Sequence, residues 1–372
     1  MKSRIALPLS VIVVLSALSI PLEMNAQATF ITFEVPDAIR TSPVGINQTG
    51  EVAGSYTDTH FVPHGFLRER HGTIIRFDVP DAIGTVPESI NPAGAITGLY
   101  TDATSVHGFV RERHGSITRF DVPDAVRTFP NSINPAGVIT GTYYIEVAAP
   151  HGFLRERHGS FIRFDVPDSV NTSPSSINPA GVITGYYSDA SLVFHGFLRS
   201  PDGTITSFDA PGAGTGPARD TIPLSINPAG AITGYYSEGS QVGGQIVYHG
   251  FLRQRDETIT TFDVPGAVAT FPRSINPAGA IAGDYTDLSR RYHSFLRGRD
   301  GTITSFDPPG SLVFPPSESI NPAGVITGEY KDQRPETHGF LRIPCERRED
   351  GECEHDGDGE NNCFCDLTTD KN

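Results

Sequence analysis

Apolar and polar positions along this chain recur in strand-length runs. After residue 26 no run carries the 3.6-residue period of an amphipathic helix. The unit at residues 89–125 shows the plan. Ser-Ile-Asn ends a first short strand. Asn-Pro-Ala-Gly then has the composition of a type I turn, with Asn first, Pro fixing φ second and Gly fourth. A second strand follows, as at residues 182–187, then a loop of variable length and a third strand built on His-x-Phe. A tight turn such as residues 200–203, with its Asp-Gly pair, leads into a fourth strand such as residues 204–209. Each unit is therefore expected to be a four-stranded antiparallel meander.

The unit occurs seven times, at a spacing of about 44 residues. Its Ile-Asn element recurs at Asn47, Asn91, Asn134, Asn178, Asn227, Asn276 and Asn321. Its fourth-strand Phe recurs at Phe33, Phe77, Phe120, Phe164, Phe208, Phe262 and Phe306. Phe33 has no unit before it, and the last unit stops after its third strand. Seven complete units exist only if residues 30–35 supply the outer strand of the unit at 321–342. The strands are apolar on both faces: the two-residue period sends Ile205 and Phe208 to opposite sides. Such sheets want cover on both faces, which a stack supplies. A linear solenoid would also need polar caps, and this chain has none. The expected fold is an all-β, seven-bladed β-propeller at residues 27–344, its ring closed by the N-terminal strand.

The flanks differ from the repeats. Lys2 and Arg4, an apolar stretch from Ile5 to Ile20 and small residues at Ala26 and Ala28 have the layout of a cleaved secretory signal, assigned to residues 1–26. The protein is expected to be exported, to the periplasm, cell surface or medium, with no membrane span after cleavage. Residues 345–372 form an acidic tail, expected to be largely disordered. It holds all four cysteines, Cys345, Cys353, Cys363 and Cys365. In an exported protein these are disulfide candidates, with no pairing readable from their spacing. The net charge of −15 argues against nucleic acid as a partner.

The repeated pattern Ile-Asn-x-x-Gly-x-Ile-Thr-Gly-x-Tyr, followed by His-Gly-Phe-Leu-Arg and Phe-Asp-x-Pro, resembles the HAF-type extracellular repeat family, named for its His-Ala-Phe tripeptide. The resemblance spans all seven units. This chain departs in having His-Gly-Phe six times and His-Ser-Phe once, at residues 293–295. All three middle residues are small, so packing is expected to tolerate the change. The resemblance implies a repeat protein outside the cytoplasm and no particular reaction or ligand.

Four polar sets recur in every unit. Two are the Arg two residues after the Phe of His-x-Phe, from Arg68 to Arg342, and the acid after the fourth-strand Phe, from Glu34 to Asp307. A third is an acid two residues after a Tyr: Asp58, Asp102, Glu146, Asp189, Glu238, Asp287 and Asp332. The fourth is the His of His-x-Phe: His64, His107, His151, His195, His249, His293 and His338. A residue present in every unit is expected to build the unit, and a buried His needs a partner. Function should instead break the symmetry. The longest link and the longest second-to-third-strand loop adjoin, offering Arg219, Asp220, Gln241, Gln245 and Tyr248 as ligand-binding candidates. The opposite part of the ring is expected to offer Arg290, Arg291 and Tyr292. Signatures of nucleophilic, zinc-dependent or nucleotide-binding enzymes are missing, so no catalytic residue, metal site or cofactor is assigned. The expected function is a non-catalytic exported binding or scaffold protein, its partner a polysaccharide or an extracellular protein. Two alternatives are a polysaccharide hydrolase or lyase using carboxylates on the loop face, and a structural envelope protein.

Overall fold

A computed structural model describes residues 28–146, 149–213, 220–242, 245–312 and 317–344. These residues form strands and no helix. Consequently no described helix is long and apolar enough to cross a membrane. Five four-stranded antiparallel sheets each take their strands from one sequence unit. In one of them the strands are Gly84–Ile90, Ile96–Thr101, Val106–Arg111 and Ile117–Phe120. A sixth, eight-stranded sheet holds the first unit and the last, joined through a single parallel pairing of Arg40 with Thr337.

The N-terminal strand, Thr29–Phe33, pairs antiparallel with Thr337–Ile343. Phe33 lies opposite Gly339, just as Phe77 lies opposite Gly65 within its own unit. The N-terminal strand thus occupies the fourth-strand place of the last unit, with bounds slightly earlier than residues 30–35. The acidic tail, its cysteines and the N-terminal 27 residues lie outside the described residues.

Local chemistry accounts for the meander. In the Asn-Pro-Ala-Gly turn the Gly94 N–H donates to the Asn91 carbonyl at 2.9 Å, and Gly94 takes a φ of 81° that glycine adopts without strain. The Asn91 side-chain oxygen accepts the N–H groups of Ala93 and Ala95, both at 3.0 Å. Between units the chain turns at Pro-Asp or Pro-Gly. Asp37, Asp81, Asp124 and Asp168 hold a positive φ that Gly212, Gly266 and Gly310 hold in the remaining units.

The core lies between units rather than within them. One cluster joins Ala53, Leu67 and Val79 to Ile96, Tyr100 and Phe109 of the next unit. Each third-strand Phe is fully buried, and six of them meet the fourth-strand Phe of the preceding unit edge-on, as with Phe109 against Phe77 at 6.2 Å. The repeated Arg follows the same rule. Arg111 sits 4.8 Å over Phe77, and Arg68 sits 5.1 Å over Phe33 of the N-terminal strand. Such contacts contribute about 0.5–2 kcal/mol each.

The first strands meet around the middle. Each repeated Asn donates its side-chain N–H to the backbone carbonyl of the next one: Asn47 to Asn91, Asn91 to Asn134, Asn134 to Asn178, Asn178 to Asn227, Asn227 to Asn276, Asn276 to Asn321, and Asn321 back to Asn47. The cycle is closed. Its longest link, 3.5 Å, is at Asn47, whose amide also donates to Glu51 at 2.6 Å.

One packing expectation needs correction. A Cβ on Gly65 would stand 2.6 Å from the Phe77 ring, so glycine and alanine are not interchangeable there. The unit with Ser294 accommodates its buried side chain opposite Phe306.

Candidate functional site

Every first strand carries a β-bulge. The register skips one residue between Pro43 and Gly45, Pro87 and Ser89, Pro130 and Ser132, Pro174 and Ser176, Pro223 and Ser225, Pro272 and Ser274, and Ser317 and Ser319. The skipped residues are Val44, Glu88, Asn131, Ser175, Leu224, Arg273 and Glu318. A bulge re-aims the side chain of its extra residue. Here all but Val44 line one cavity of about 550 Å³, closed in further by Phe129, Thr142, Tyr144, Ser173, Pro174 and Tyr186. The flanking Ile and Asn are the same in every unit; the skipped residue is not. Symmetry therefore breaks at the middle of the ring, one side chain per unit.

The cavity is electrostatically lopsided. Arg273 is clamped by the buried Asp284, with Nε at 2.6 Å and Nη2 at 3.4 Å from its two oxygens. Burial pushes the Asp284 carboxyl up, and the two-point contact with Arg273 opposes that rise. Arg40 is likewise held by Glu329, which also accepts a short hydrogen bond from Ser42. Glu88 and Glu318 have no such partner: neither makes a hydrogen bond or ion pair among the described residues. Both are half-buried. Loss of hydration, with repulsion from Glu318, pushes Glu88 up to about 7. Glu318 also reaches about 7, through burial, opposed by Arg273 and reinforced by Asp284 and Glu329.

A pH dependence of stability follows. For Glu88 and Glu318 the folded state binds protons more tightly than the unfolded chain, so stability falls as pH rises from about 4.5 through about 7. The loop acids act at the other limb. Asp58, Asp102, Asp189, Asp287 and Asp332 are held below their ordinary value, chiefly by the Val62 N–H, the Thr104 hydroxyl, the Val193 N–H, the Arg291 N–H and the Arg334 guanidinium respectively. What they add is lost as pH falls below about 3.8. The melting temperature should therefore peak on the acid side of neutrality. Glu88→Gln should raise it much more at pH 8 than at pH 5. An equal effect at both pH values in a melting series would refute this.

The repeated His and acid positions come together at the loop face. Each His Nδ1 faces the fourth-strand acid, from His64 with Asp78 at 3.0 Å to His338 with Glu34 at 2.7 Å. In six units Nε2 faces the loop acid, at 3.2–3.6 Å: His64 with Asp58, His107 with Asp102, His195 with Asp189, His249 with Glu238, His293 with Asp287 and His338 with Asp332. Burial works against the charged His293, but Asp307 and Asp287 hold its pKa above the ordinary value. Each ring also packs on a Tyr, as His107 does on Tyr100 at 5.0 Å.

Glu146 breaks the set. The Tyr packed on His151 is Tyr143, so the equivalent loop position is Ile145, and Glu146 is one step out of register. His151 faces Asp165 alone among the described residues. The sequence pattern of seven loop acids is therefore sixfold in space. No group of three or more His, Cys, Asp or Glu side chains is placed to hold a metal ion among the described residues.

The loop candidates are placed separately. Arg219 lies outside the described residues. The Asp220 carboxylate accepts the Phe194 N–H at 3.2 Å, tying two units together. Gln241 and Gln245 sit in a two-residue hairpin, Gln241–Val242 with Gln245–Ile246. Tyr248 packs on Tyr235 at 5.4 Å and Phe271 at 5.4 Å, on the side of the ring where Arg273 enters. Arg290 holds a φ of 63° in the loop turn, Arg291 donates its N–H to Asp287 at 2.9 Å, and Tyr292 is 37% exposed. The structure brings Asp220 and Tyr248 near each other and leaves Arg290, Arg291 and Tyr292 in the next unit. Sequence reasoning missed Glu88, Glu318 and Arg273. The available signal was the varying residue just before Ser-Ile-Asn.

No protein-family model and no curated protein matches this chain. Solved structures do. Selenomethionine-substituted virginiamycin B lyase from Staphylococcus aureus aligns with a TM-score of 0.56 at 15% identity, covering 85% of this chain and 100% of that one. The β-propeller domain of the Trilobed protease from Pyrococcus furiosus, described as having an open velcro topology, aligns at 0.57 and 8% identity, covering 83% and 94%. An acylaminoacyl peptidase from Pyrococcus horikoshii aligns at 0.56 and 10% identity, covering 82% of this chain and 51% of that one. At such identities the likeness shows the fold alone: this chain is an all-β protein of β-propeller type, with four-stranded antiparallel blades.

Proposed function

We propose that this protein is an exported, seven-bladed β-propeller that binds a small ligand in its axial cavity and does not transform it. The blade count is supported by the closed cycle of seven asparagines and by the N-terminal strand in the last unit. Export is supported by the signal-like segment at residues 1–26 and the family resemblance of the repeats. The observation that carries the binding function is the bulge set: an otherwise uniform ring places a different side chain from each blade at its centre, and six of these line one cavity. The wall suits a ligand of modest size, with aromatic surface at Phe129, Tyr144 and Tyr186 and several polar groups converging.

The proposed mouth lies on the loop face, beside Tyr248. Exposed apolar side chains also gather on that face, among them Phe61, Leu192 and Leu288 in second-to-third-strand loops. A second function is favoured by Glu88 and Glu318 themselves. Two carboxylates with pKa near 7 in one cavity have the chemistry of an acid–base pair, which an enzyme acting on polysaccharide would use.

One experiment separates these. The protein, expressed from its full sequence, is exposed to a mixture of metabolites and cell-wall oligosaccharides, and retained and released molecules are read by mass spectrometry. A parallel sample carries Ser175→Trp, which fills the cavity. Retention of an unaltered small molecule by the wild type, lost in the variant, is expected. New products would make it an enzyme. Equal retention by both proteins, or none, would overturn the axial site.

A further inference from the structure

Two carboxylates and one guanidinium line the axial cavity, a second guanidinium, Arg40, acts on Glu318 from further off, and both guanidiniums are already spent. Arg273 is held by Asp284 and Arg40 by Glu329. Neither can greet an anion without abandoning a carboxylate partner. Glu88 and Glu318 have no ion-pair partner among the described residues, and the charge of Glu318 works against that of Glu88. An uncharged occupant would leave that repulsion in place and displace the water that screens it. A metal ion would meet two carboxylates beside the neutral side chains of Asn131, Thr142, Ser173 and Ser175, and no group of three or more His, Cys, Asp or Glu is placed to hold one among the described residues. A protonated amine fits each part. Its N–H groups can donate to both carboxylates, and its positive charge is also attracted to aromatic faces. Phe129, Tyr144, Tyr186 and Leu224 make an apolar and aromatic stretch of an otherwise polar wall, and that stretch suits an apolar or aromatic body on the ligand.

From this geometry we infer that the axial cavity selects a small organic cation, a protonated amine carried on an apolar or aromatic body, which Glu88 and Glu318 hold between them. The inference rests on the axial-site function proposed above. It carries a pH signature, because the amine binds the ionised carboxylates. Affinity rises as the glutamates lose their protons near pH 7, and falls again when the amine loses its own. Besides each other, the charged groups facing the two glutamates are Arg273 and Asp284, with Glu329 and Arg40 further off.

The test is calorimetric titration of the full-sequence protein with four probes: 2-phenylethylamine, its neutral isostere 2-phenylethanol, the anion 3-phenylpropanoate, and putrescine, a cation without an apolar body. At pH 8 the aromatic amine should bind at least tenfold more tightly than each of the others. Glu88→Gln and Glu318→Gln should each weaken the amine at least tenfold while leaving the fold intact by circular dichroism. At pH 6.5 binding should release protons, seen as a dependence of heat on the buffer's ionisation enthalpy.

If the alcohol or the anion binds as well as the amine, and Ser175→Trp abolishes that binding, the cavity is a ligand site but the cationic class is wrong. If the amine binds equally to wild type and both Gln variants, the two glutamates are not its anchors and the inference fails. If no probe binds, the inference is overturned; metabolite retention that Ser175→Trp abolishes would leave the axial site standing.

Discussion

Deleting residues 29–36 should leave a protein with no cooperative unfolding transition, recovered mostly as aggregate. The deletion removes the ladder that pairs Thr29–Phe33 with Thr337–Ile343. It also removes Phe33 and Val35 from a core cluster that contains Tyr56, Phe66 and Leu341. Phe30 goes with them, leaving Phe306 and Phe340 short of a ring neighbour at 6.1 and 6.3 Å. Burying a large apolar side chain is worth about 1.5–3 kcal/mol, so three of them amount to several kcal/mol. Arg68 loses the ring beneath it as well. The total approaches the roughly 5–15 kcal/mol that holds an ordinary domain folded. The open edge of the last sheet then offers unpaired backbone to other chains. Light scattering and a thermal melt would check this. A truncated protein that stayed monomeric and kept its melting temperature would show that the ring does not depend on this strand.

Gly98→Ala should cost about 3 kcal/mol, the upper end for overpacking, although it adds a single methyl group. That Cβ would stand 2.2 Å from the Val86 carbonyl oxygen and 2.7 Å from the Pro87 Cα. Both are backbone atoms of the paired strand beside the Glu88 bulge, so no rotamer change relieves the clash. Gly266→Ala is the control. Its φ is 81° and nothing stands within 4 Å of its Cβ, so only left-handed strain of about 1–2 kcal/mol remains. Urea midpoints with unchanged slopes should separate the two. Equal losses would mean that the strands part more readily at the bulge than their packing implies.

Much of this architecture was legible in the sequence because each instruction was given seven times. The Asn-Pro-Ala-Gly turn, the strand lengths and the lone Phe33 needing a partner unit all survive the accidents of any single copy. The site was not legible, for a geometric reason. A bulge residue such as Glu88 or Arg273 belongs to neither face of a regular two-residue alternation, so its direction is set by the pairing register, and the register emerges only on folding. Attention went instead to loops that vary in length. Of those residues, Tyr248 reaches the aromatic group beside Arg273, while the Asp220 carboxylate accepts the Phe194 N–H and Arg291 gives its backbone N–H to Asp287. Glu146 misled for a simpler reason: the doublet Tyr143-Tyr144 hides which ring packs on His151. The Arg positions gave no hint that each would rest on a Phe of the preceding unit, because that contact spans most of a repeat.

The closing strand also sets how the molecule yields to a pull. Thr29 lies directly across from Ile343, so the two ends of the described chain leave the sheet side by side, at one end of the same ladder. Tension applied through them does not shear five residue pairs together. It opens them one at a time, like a zip, from Thr29 toward Phe33. The contact that guards the ring against heat is therefore the one that gives way first under force. A tether attached at residue 29 or 343 would release the ring at a far lower load than one attached across two neighbouring blades.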